Sequence, residues 1–483
     1  MHSSELKDPI LRILVLVFVT ASAIRADDQA EPTAAIDVSN RLQLFVDDRL
    51  IDSMDGVRLE LHSPHPAEVV IRKDSPWEDS TMYDPVVIQD GDLYRMWYRT
   101  NFNSPPFYTG YAESRDGIEW TKPSLGLIEF DGSRNNNIVW VGNHSVEGGG
   151  PCVLCIFKDG NPNAPEEERY KATGLTFGGG LQGLVSPDGL RWKLVQPERV
   201  VPAVGAFDTH SISLWDAARR EYVVYTRGFV DGVRRIRRST SDNFRQFPVP
   251  ELVMVDNPDD LPVEHLYKNA ATPYFRNPEL MLMFPKRFLP DRKFDPDWPQ
   301  PGLSDVVFMF SYDGLRFDRR FRQAFIRPGL DSLNWHERAI EVGPGVVPTS
   351  RTEMSLYYVE HYRFEDVQIR RGVLRTDGFV SVHADVPGGE FVTHPLVFDG
   401  DRLVMNFSTS AAGSIQVELL DAGRNPLPDF TLSDCPEIFG DSTEQPVSWT
   451  IGSNLRRFAG QPVRLRFVLK DADLYSIRFE SEQ

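Results

Sequence analysis

Three acidic residues open comparable strand-forming runs. They are Asp84 in Tyr83-Asp84-Pro85-Val86-Val87-Ile88, Asp208 in Phe207-Asp208-Thr209-His210-Ser211-Ile212, and Glu353 in Arg351-Thr352-Glu353-Met354-Ser355-Leu356. A fourth acid, Glu264, precedes His265-Leu266-Tyr267-Lys268-Asn269. Carboxyl groups gathered in one cavity suit glycosidic-bond hydrolysis, where one acid protonates the leaving oxygen and one carboxylate acts as base or nucleophile. Crowding raises at least one of their pKa values and keeps that group protonated near neutral pH. Each has a plainer reading too. Asp84 before Pro85 fits an Asx turn, Asp208 fits a cap on strand-opening amides, and Glu353 beside Arg351 fits half of an ion pair. His210, Lys268 and Arg351 lie next to the acids and suit sugar hydroxyls or a uronate, and Asn269 joins them as a candidate substrate contact.

The elements that must position these groups show in an internal repeat. The pattern S-x-D-G-[IL]-x-[WF] occurs at Ser114–Trp120, Ser186–Trp192 and Ser311–Phe317, with degenerate copies at Ser241–Phe247 and Arg375–Phe379. Asp-Gly or Asp-Asn supplies the positive-φ positions of a tight turn, and the aromatic residue packs beneath it. Short strands rich in β-branched and aromatic residues precede each copy, such as Tyr94-Arg95-Met96-Trp97-Tyr98. Copies spaced some 54 to 72 residues apart predict four-stranded units packed radially, a five-bladed β-propeller. The first strand of each blade lines a central channel, so the acids that open those strands face one funnel. Beyond about residue 385 the pattern becomes long alternating strands such as Val463-Arg464-Leu465-Arg466-Phe467, which predicts a β-sandwich. The expected division is a signal segment over 1–26, a disordered lead over 27–40, a propeller over 41–385 with 41–62 helping to close the ring, and a sandwich over 386–483. The fold class is all-β.

Lys7 and Arg12 lead into the apolar run Ile13–Val19, followed by Ala21, Ser22 and Ala23. This is the layout of an export signal, too short for a comfortable membrane span, and it implies a secreted, periplasmic or cell-envelope location after cleavage. Only three cysteines are present, and Cys152-Val153-Leu154-Cys155 lacks the further ligands of a zinc site, so buried thiols on a strand are expected. A net charge of −18 opposes nucleic-acid binding, and Arg234, Arg235, Arg237 and Arg238 read as a solvated strand face. Motifs for phosphate loops, serine hydrolases and zinc proteases are absent from the sequence.

With Asp84-Pro85-Val86-Val87-Ile88 opening blade one and Asp208 opening blade three, the chain resembles the secreted five-bladed propeller glycosidases of glycoside hydrolase families 32 and 43. That resemblance implies an inverting base or retaining nucleophile at Asp84 and an orienting, transition-state-stabilising role at Asp208. It implies a general acid at the opening of the following blade, where this chain has Asn269, so the acid stands between Glu264 and Glu353, with Glu353 favoured. Phe207-Asp208-Thr209 replaces the Arg-Asp-Pro of family 32, which turns the expectation away from fructosides. No cofactor or metal is called for; a channel calcium follows by analogy alone and has no ligand motif. The expected partner is a carbohydrate substrate, and the alternative is a non-catalytic carbohydrate- or protein-binding propeller at the cell surface.

Overall fold

The computed structural model describes residues 34–256 and 264–481; the signal segment and the lead as far as residue 33 lie outside the described residues. Five antiparallel sheets follow one another along the chain. Blade one holds Tyr83–Asp90, Leu93–Arg99, Phe107–Ser114 and Ile138–Gly142. Blade two holds Cys152–Lys158, Tyr170–Leu175, Leu181–Ser186 and Lys193–Val201, and blade three runs from Ile212–Asp216 out to Glu251–Leu252. Blade four is built on Thr272–Tyr274, Asn277–Met283 and Met309–Ser311. An insertion extends it, in which His265–Leu266, Lys286–Leu289 and Leu303–Val306 make a small sheet of their own.

Blade five closes the ring. Its inner edge is the broken pair Glu341–Val342 and Val347–Pro348, followed by Glu353–Glu360 and Gln368–Arg375. Its outer strand, His65–Arg72, comes from the far end of the chain and pairs antiparallel with Gln368–Arg375. The inner edges of blades five and one meet through Val87 N–H donating to Pro344 O at 3.1 Å. A Cβ at Gly343 would lie 1.9 Å from Pro85 O, and one at Gly345 2.0 Å from Val87 O, so both positions admit glycine alone.

The repeat performs the local job expected of it and also staples blade to blade. In the first copy, Gly117 N–H donates to Ser114 Oγ at 2.8 Å, while Ile118 and Glu119 N–H donate to Asp116 Oδ1 at 2.8 and 2.9 Å. The copies at Ser186 and Ser311 repeat these bonds. The glycine carbonyls then accept from neighbouring blades: Tyr357 Oη to Gly117 at 2.6 Å, Trp97 Nε1 to Gly189 at 2.8 Å, and Tyr225 Oη to Gly314 at 2.7 Å. Between blades one and two, Trp97, Tyr111, Leu154, Tyr170 and Leu184 form a buried apolar layer. Each such side chain contributes about 1.5–3 kcal/mol on removal from water.

The sandwich is one ten-stranded sheet wrapped around its own apolar cluster. Its two longest strands, Arg402–Asp421 and Val463–Glu480, pair along nearly their whole length, with a register break between Thr409 and Ser414. Phe398 stacks on Phe479 and Phe391 on Phe467 inside it. The pairing divides the chain differently from the sequence expectation. Ile51–Asp55 and Val57–Leu61 join this sheet rather than closing the ring, as do Val380–Ala384 and Ile36–Ser39, the latter within the expected lead. Asp377, fully buried, ties the two parts together by accepting from Arg276 Nη1 at 2.8 Å, Ser476 Oγ at 2.8 Å, Asn406 Nδ2 at 3.3 Å and the Tyr274 hydroxyl. Cys152, Cys155 and Cys435 are buried free thiols. Among the described residues no helix is long and apolar enough to cross a membrane.

Candidate active site

Asp84 occupies the second position of blade one's inner strand at a left-handed φ of 55°, and Val153 and Ala270 on other blades take φ of 56° and 46°. Such φ values are uncommon outside glycine, and for β-branched Val153 a true outlier, so the surrounding ring over-determines the backbone here. The strain serves to turn Asp84 inward, where it is 1% exposed. Its Oδ2 lies 3.0 Å from Arg99 Nη1, at the end of the adjacent strand, and its Oδ1 accepts from Lys268 Nζ. Lys268 Nζ also donates to Glu341 Oε1 at 2.6 Å, and Glu341 Oε2 lies 3.0 Å from Lys286 Nζ. Lys286 donates in turn to the Tyr83 hydroxyl, which itself donates to Arg338 O at 2.7 Å. Blades one, four and five therefore meet in a buried alternation of Arg99, Asp84, Lys268, Glu341 and Lys286. Asp84 Oδ2 and Glu341 Oε2 face their cations without forming a hydrogen bond.

The two carboxyl groups experience opposite environments. Burial alone raises the pKa of Asp84, but Arg99 and then Lys268 reverse this and hold it well below the usual carboxylate range. Burial likewise raises Glu341, and there the cations Lys268 and Lys286 offset it only in part, so its pKa stays up. Burial pushes Lys286 down to about 7 against the pull of Glu341. His210 precedes blade three's inner strand, and its Nε2–H points to Leu154 O at 3.2 Å, leaving the Nδ1 lone pair 3.9 Å from Asp84 Oδ1. Burial lowers its pKa to about 4, so the ring is neutral across the physiological range.

The remaining expected residues fall elsewhere. Asp208 turns outward, its side chain 66% exposed and paired with Arg227. Its neighbours Thr209 and His210 are buried, so this run turns His210, rather than Asp208, toward Asp84. Glu264 lies in the blade-four insertion, held by Arg287 at 3.2 Å and by Arg319. Glu353 and Arg351 are exposed. Glu353 starts the second strand of blade five, opposite Arg375, whereas Glu341 pairs with Val359 near the far end of that strand. Six residues of strand separate the two places, about 20 Å at 3.3 Å per residue. Asn269 serves the backbone, its Oδ1 accepting from Ala271 N–H at 3.1 Å. Lys268 and His210 do reach Asp84. Glu341, Lys286, Arg99 and Tyr83 complete the cluster without having been singled out. For Glu341 the available signal was an acid inside the apolar run Ala339-Ile340-Glu341-Val342 just before Gly343-Pro344-Gly345.

Asp84, His210 and Glu341 offer donor atoms all within 4.8 Å of one another, a spacing open to a metal ion. The charges around them do not suit one. Lys268 already bonds both carboxylates, and Arg99 and Lys286 take their other oxygens. A divalent cation would join three positive groups in a dry site, so the calcium suggested by analogy does not fit these residues.

No protein-family model matches the chain. Over 144 residues, 29% of the chain, it is 43% identical to the uncharacterized protein MT1551 of Mycobacterium tuberculosis, of which the match covers 40%. Over 58 residues it is 43% identical to the uncharacterized protein Rv1502 of the same species, covering 11% of this chain and 19% of that one. The matches thus span less than half the length of either relative. Among solved structures it is similar to one titled glycoside hydrolase, at 12% identity and a TM-score of 0.42 over 65% of this chain and 92% of that one. It is also similar to an N-acetylgalactosamine deacetylase from F. plautii in complex with blood group B trisaccharide, at 13% identity and a TM-score of 0.44 over 66% and 96%. A third is a structure from the GH130 family of mannoside phosphorylases, at 13% identity and a TM-score of 0.42 over 66% and 94%.

Proposed function

We propose that the chain is a glycoside hydrolase whose reacting pair is Asp84 and Glu341. The observation that carries the reading is one of contrast: two carboxyl groups with oxygens within 4.8 Å, one held ionised and the other held toward its protonated form. Environments that push two such pKa values apart assign the acid and the base. The spacing matches the roughly 5 Å of a retaining double displacement better than the wider gap of inversion. Asp84 Oδ2 attacks the anomeric carbon while Glu341 gives its proton to the glycosidic oxygen, and that carbon–oxygen bond breaks. Glu341, now ionised, takes a proton from water, the water oxygen bonds to the anomeric carbon, and the Asp84 carboxylate leaves. Lys268 positions both groups, and Arg99 keeps Asp84 charged between turnovers. Because both carboxylates are 1% exposed, a sugar reaches them only when the side chains covering them move.

Incubation of the full chain with a broad set of oligosaccharides, with chromatography of the products, tests this reading. Asp84→Asn and Glu341→Gln are expected to lower turnover by about a hundredfold or more; full activity in either variant defeats the assignment. The near-complete burial and pairing of the same charges favour a second reading, a binding propeller with a structural ion cluster at its hub. Glycan binding with no product released on prolonged incubation supports it.

A further inference from the structure

Beside the hub lies a second set of charges with the opposite balance. The Tyr267 N–H donates to Lys286 O at 2.8 Å, and Lys286 Nζ lies 5.5 Å from the centroid of the Tyr267 ring. Two guanidiniums attend that ring: Arg234 Cζ is 4.5 Å and Arg227 Cζ 5.0 Å from its centroid, and both also lie near Phe229, at 5.5 and 5.4 Å. Arg338, at a left-handed φ of 63°, is anchored to the hub through its carbonyl, which accepts from Tyr83.

Among the described residues these three arginines have one carboxylate partner between them, the exposed Asp208 on Arg227. Arg234 instead bonds His265 Nδ1 at 2.7 Å, and the Nε atoms of both Arg227 and Arg234 are buried without a hydrogen-bond partner. The acid nearest Arg338 in sequence, Glu337, is held by Arg363 at 2.9 Å and favours the charged Arg338 from a distance, without a direct ion pair. Burial lowers the pKa of Arg234, with Arg227 and Arg338 adding to the effect, whereas Arg338 is held above its ordinary value because Tyr267, Tyr362 and Glu337 outweigh its own burial, so the repulsion falls chiefly on Arg234. In a chain of net charge −18, a half-buried cationic cluster that is largely unneutralised costs self-repulsion, which an incoming anion relieves. The planar guanidinium fork matches the paired oxygens of a carboxylate or sulfate.

We propose that Arg227, Arg234 and Arg338 form a subsite for an acidic group carried by the glycan, a uronate carboxylate or a sulfate ester, beside the reacting pair. The inference rests on the reading of Asp84 and Glu341 as that pair.

The test is a glycan array carrying uronate-containing, sulfated and neutral oligosaccharides, followed by calorimetry of the best ligand of each class and of inorganic phosphate at low and high salt. The full chain is compared with Arg234→Gln/Arg338→Gln, Arg234→Lys and Asp84→Asn. One acidic class is expected to bind at least about tenfold more tightly than neutral glycans, the class identifying carboxylate or sulfate. The double variant is expected to lose about tenfold or more in affinity with an unchanged thermal melt, and Arg234→Lys, which keeps charge but not the fork, a smaller part. Equal or better binding of neutral glycans, binding of neither class, undiminished affinity in the folded double variant, or phosphate alone binding as well as the glycan each overturn the subsite. Cleavage of neutral glycans alone, abolished by Asp84→Asn, removes this inference and keeps the hydrolase. Acidic glycans bound through the arginines but never cleaved keep the subsite and remove the hydrolase.

Discussion

Lys268→Met removes the one ammonium that bonds both hub carboxylates while leaving a side chain of similar length. Asp84 and Glu341 then face each other with oxygens at most 4.8 Å apart. At an effective dielectric of about 20, two unit charges at that separation repel by about 3.5 kcal/mol, in the range of about 3–5 kcal/mol seen when a buried pair loses one partner. The loss depends on pH in a definite direction. Glu341 already has a raised pKa because burial outweighs its cations, and losing Lys268 raises it further. A carboxyl whose folded pKa exceeds its unfolded value binds more protons folded than unfolded, so stability falls as pH climbs from the unfolded value to the folded one. The variant's deficit is therefore expected to be greatest near pH 8 and to shrink toward pH 4. Guanidinium denaturation followed by tryptophan fluorescence at pH 4, 6 and 8, with the wild type in parallel, gives the difference directly. A deficit under about 1 kcal/mol at pH 8, or one that grows on acidification, would refute the electrostatic account of the hub.

Other expectations follow from the same geometry. Glu353→Gln and Arg351→Gln, at exposed positions remote from the hub, are expected to change turnover less than about twofold in steady-state assays. Asp377→Ala strips four donors of their buried acceptor at the seam between propeller and sandwich, and is expected to cost about 3 kcal/mol in denaturation. Burial holds the pKa of Glu341 above the usual carboxylate value, so kcat/KM is expected to fall as pH climbs past that raised pKa and the acid loses its proton. In Lys286→Met the cation that favours ionised Glu341 is gone, so that limb is expected to move upward on the pH axis.

What was legible in the sequence was local. The S-x-D-G copies declared themselves because Ser114, Asp116 and Gly117 make their bonds within five residues, and their recurrence every 54 to 72 residues implied blades. The alternation in Val463–Glu480 marked the sandwich for the same reason. Asp84 was picked out because it sits at the mouth of a strong strand run, and Lys268 because it lies close in sequence to another candidate acid, Glu264. Glu341 escaped because its strand is two residues long, broken at Gly343-Pro344-Gly345, and gains its meaning only from contact with Pro85 and Val87 at the other end of the ring. Glu353 drew attention instead because Glu353–Glu360 is a long apolar strand, yet it is the second of its blade, which puts its first residue at the wrong end. The same limit governs the ring-closing strand: His65–Arg72 and Ile51–Asp55 have similar character, and only pairing distinguishes the one in the propeller from the one in the sandwich.

The central claim is that Asp84 forms a bond to sugar while Glu341 moves the proton. It is tested most directly with a 2-deoxy-2-fluoro glycosyl fluoride of whichever glycoside the chain cleaves, followed by proteolysis and mass spectrometry. The account predicts a fluoroglycosyl adduct on the peptide containing Asp84, accumulating in the wild type and absent in Asp84→Asn. An adduct on any other residue, or a first-formed product of inverted anomeric configuration with no adduct, contradicts it.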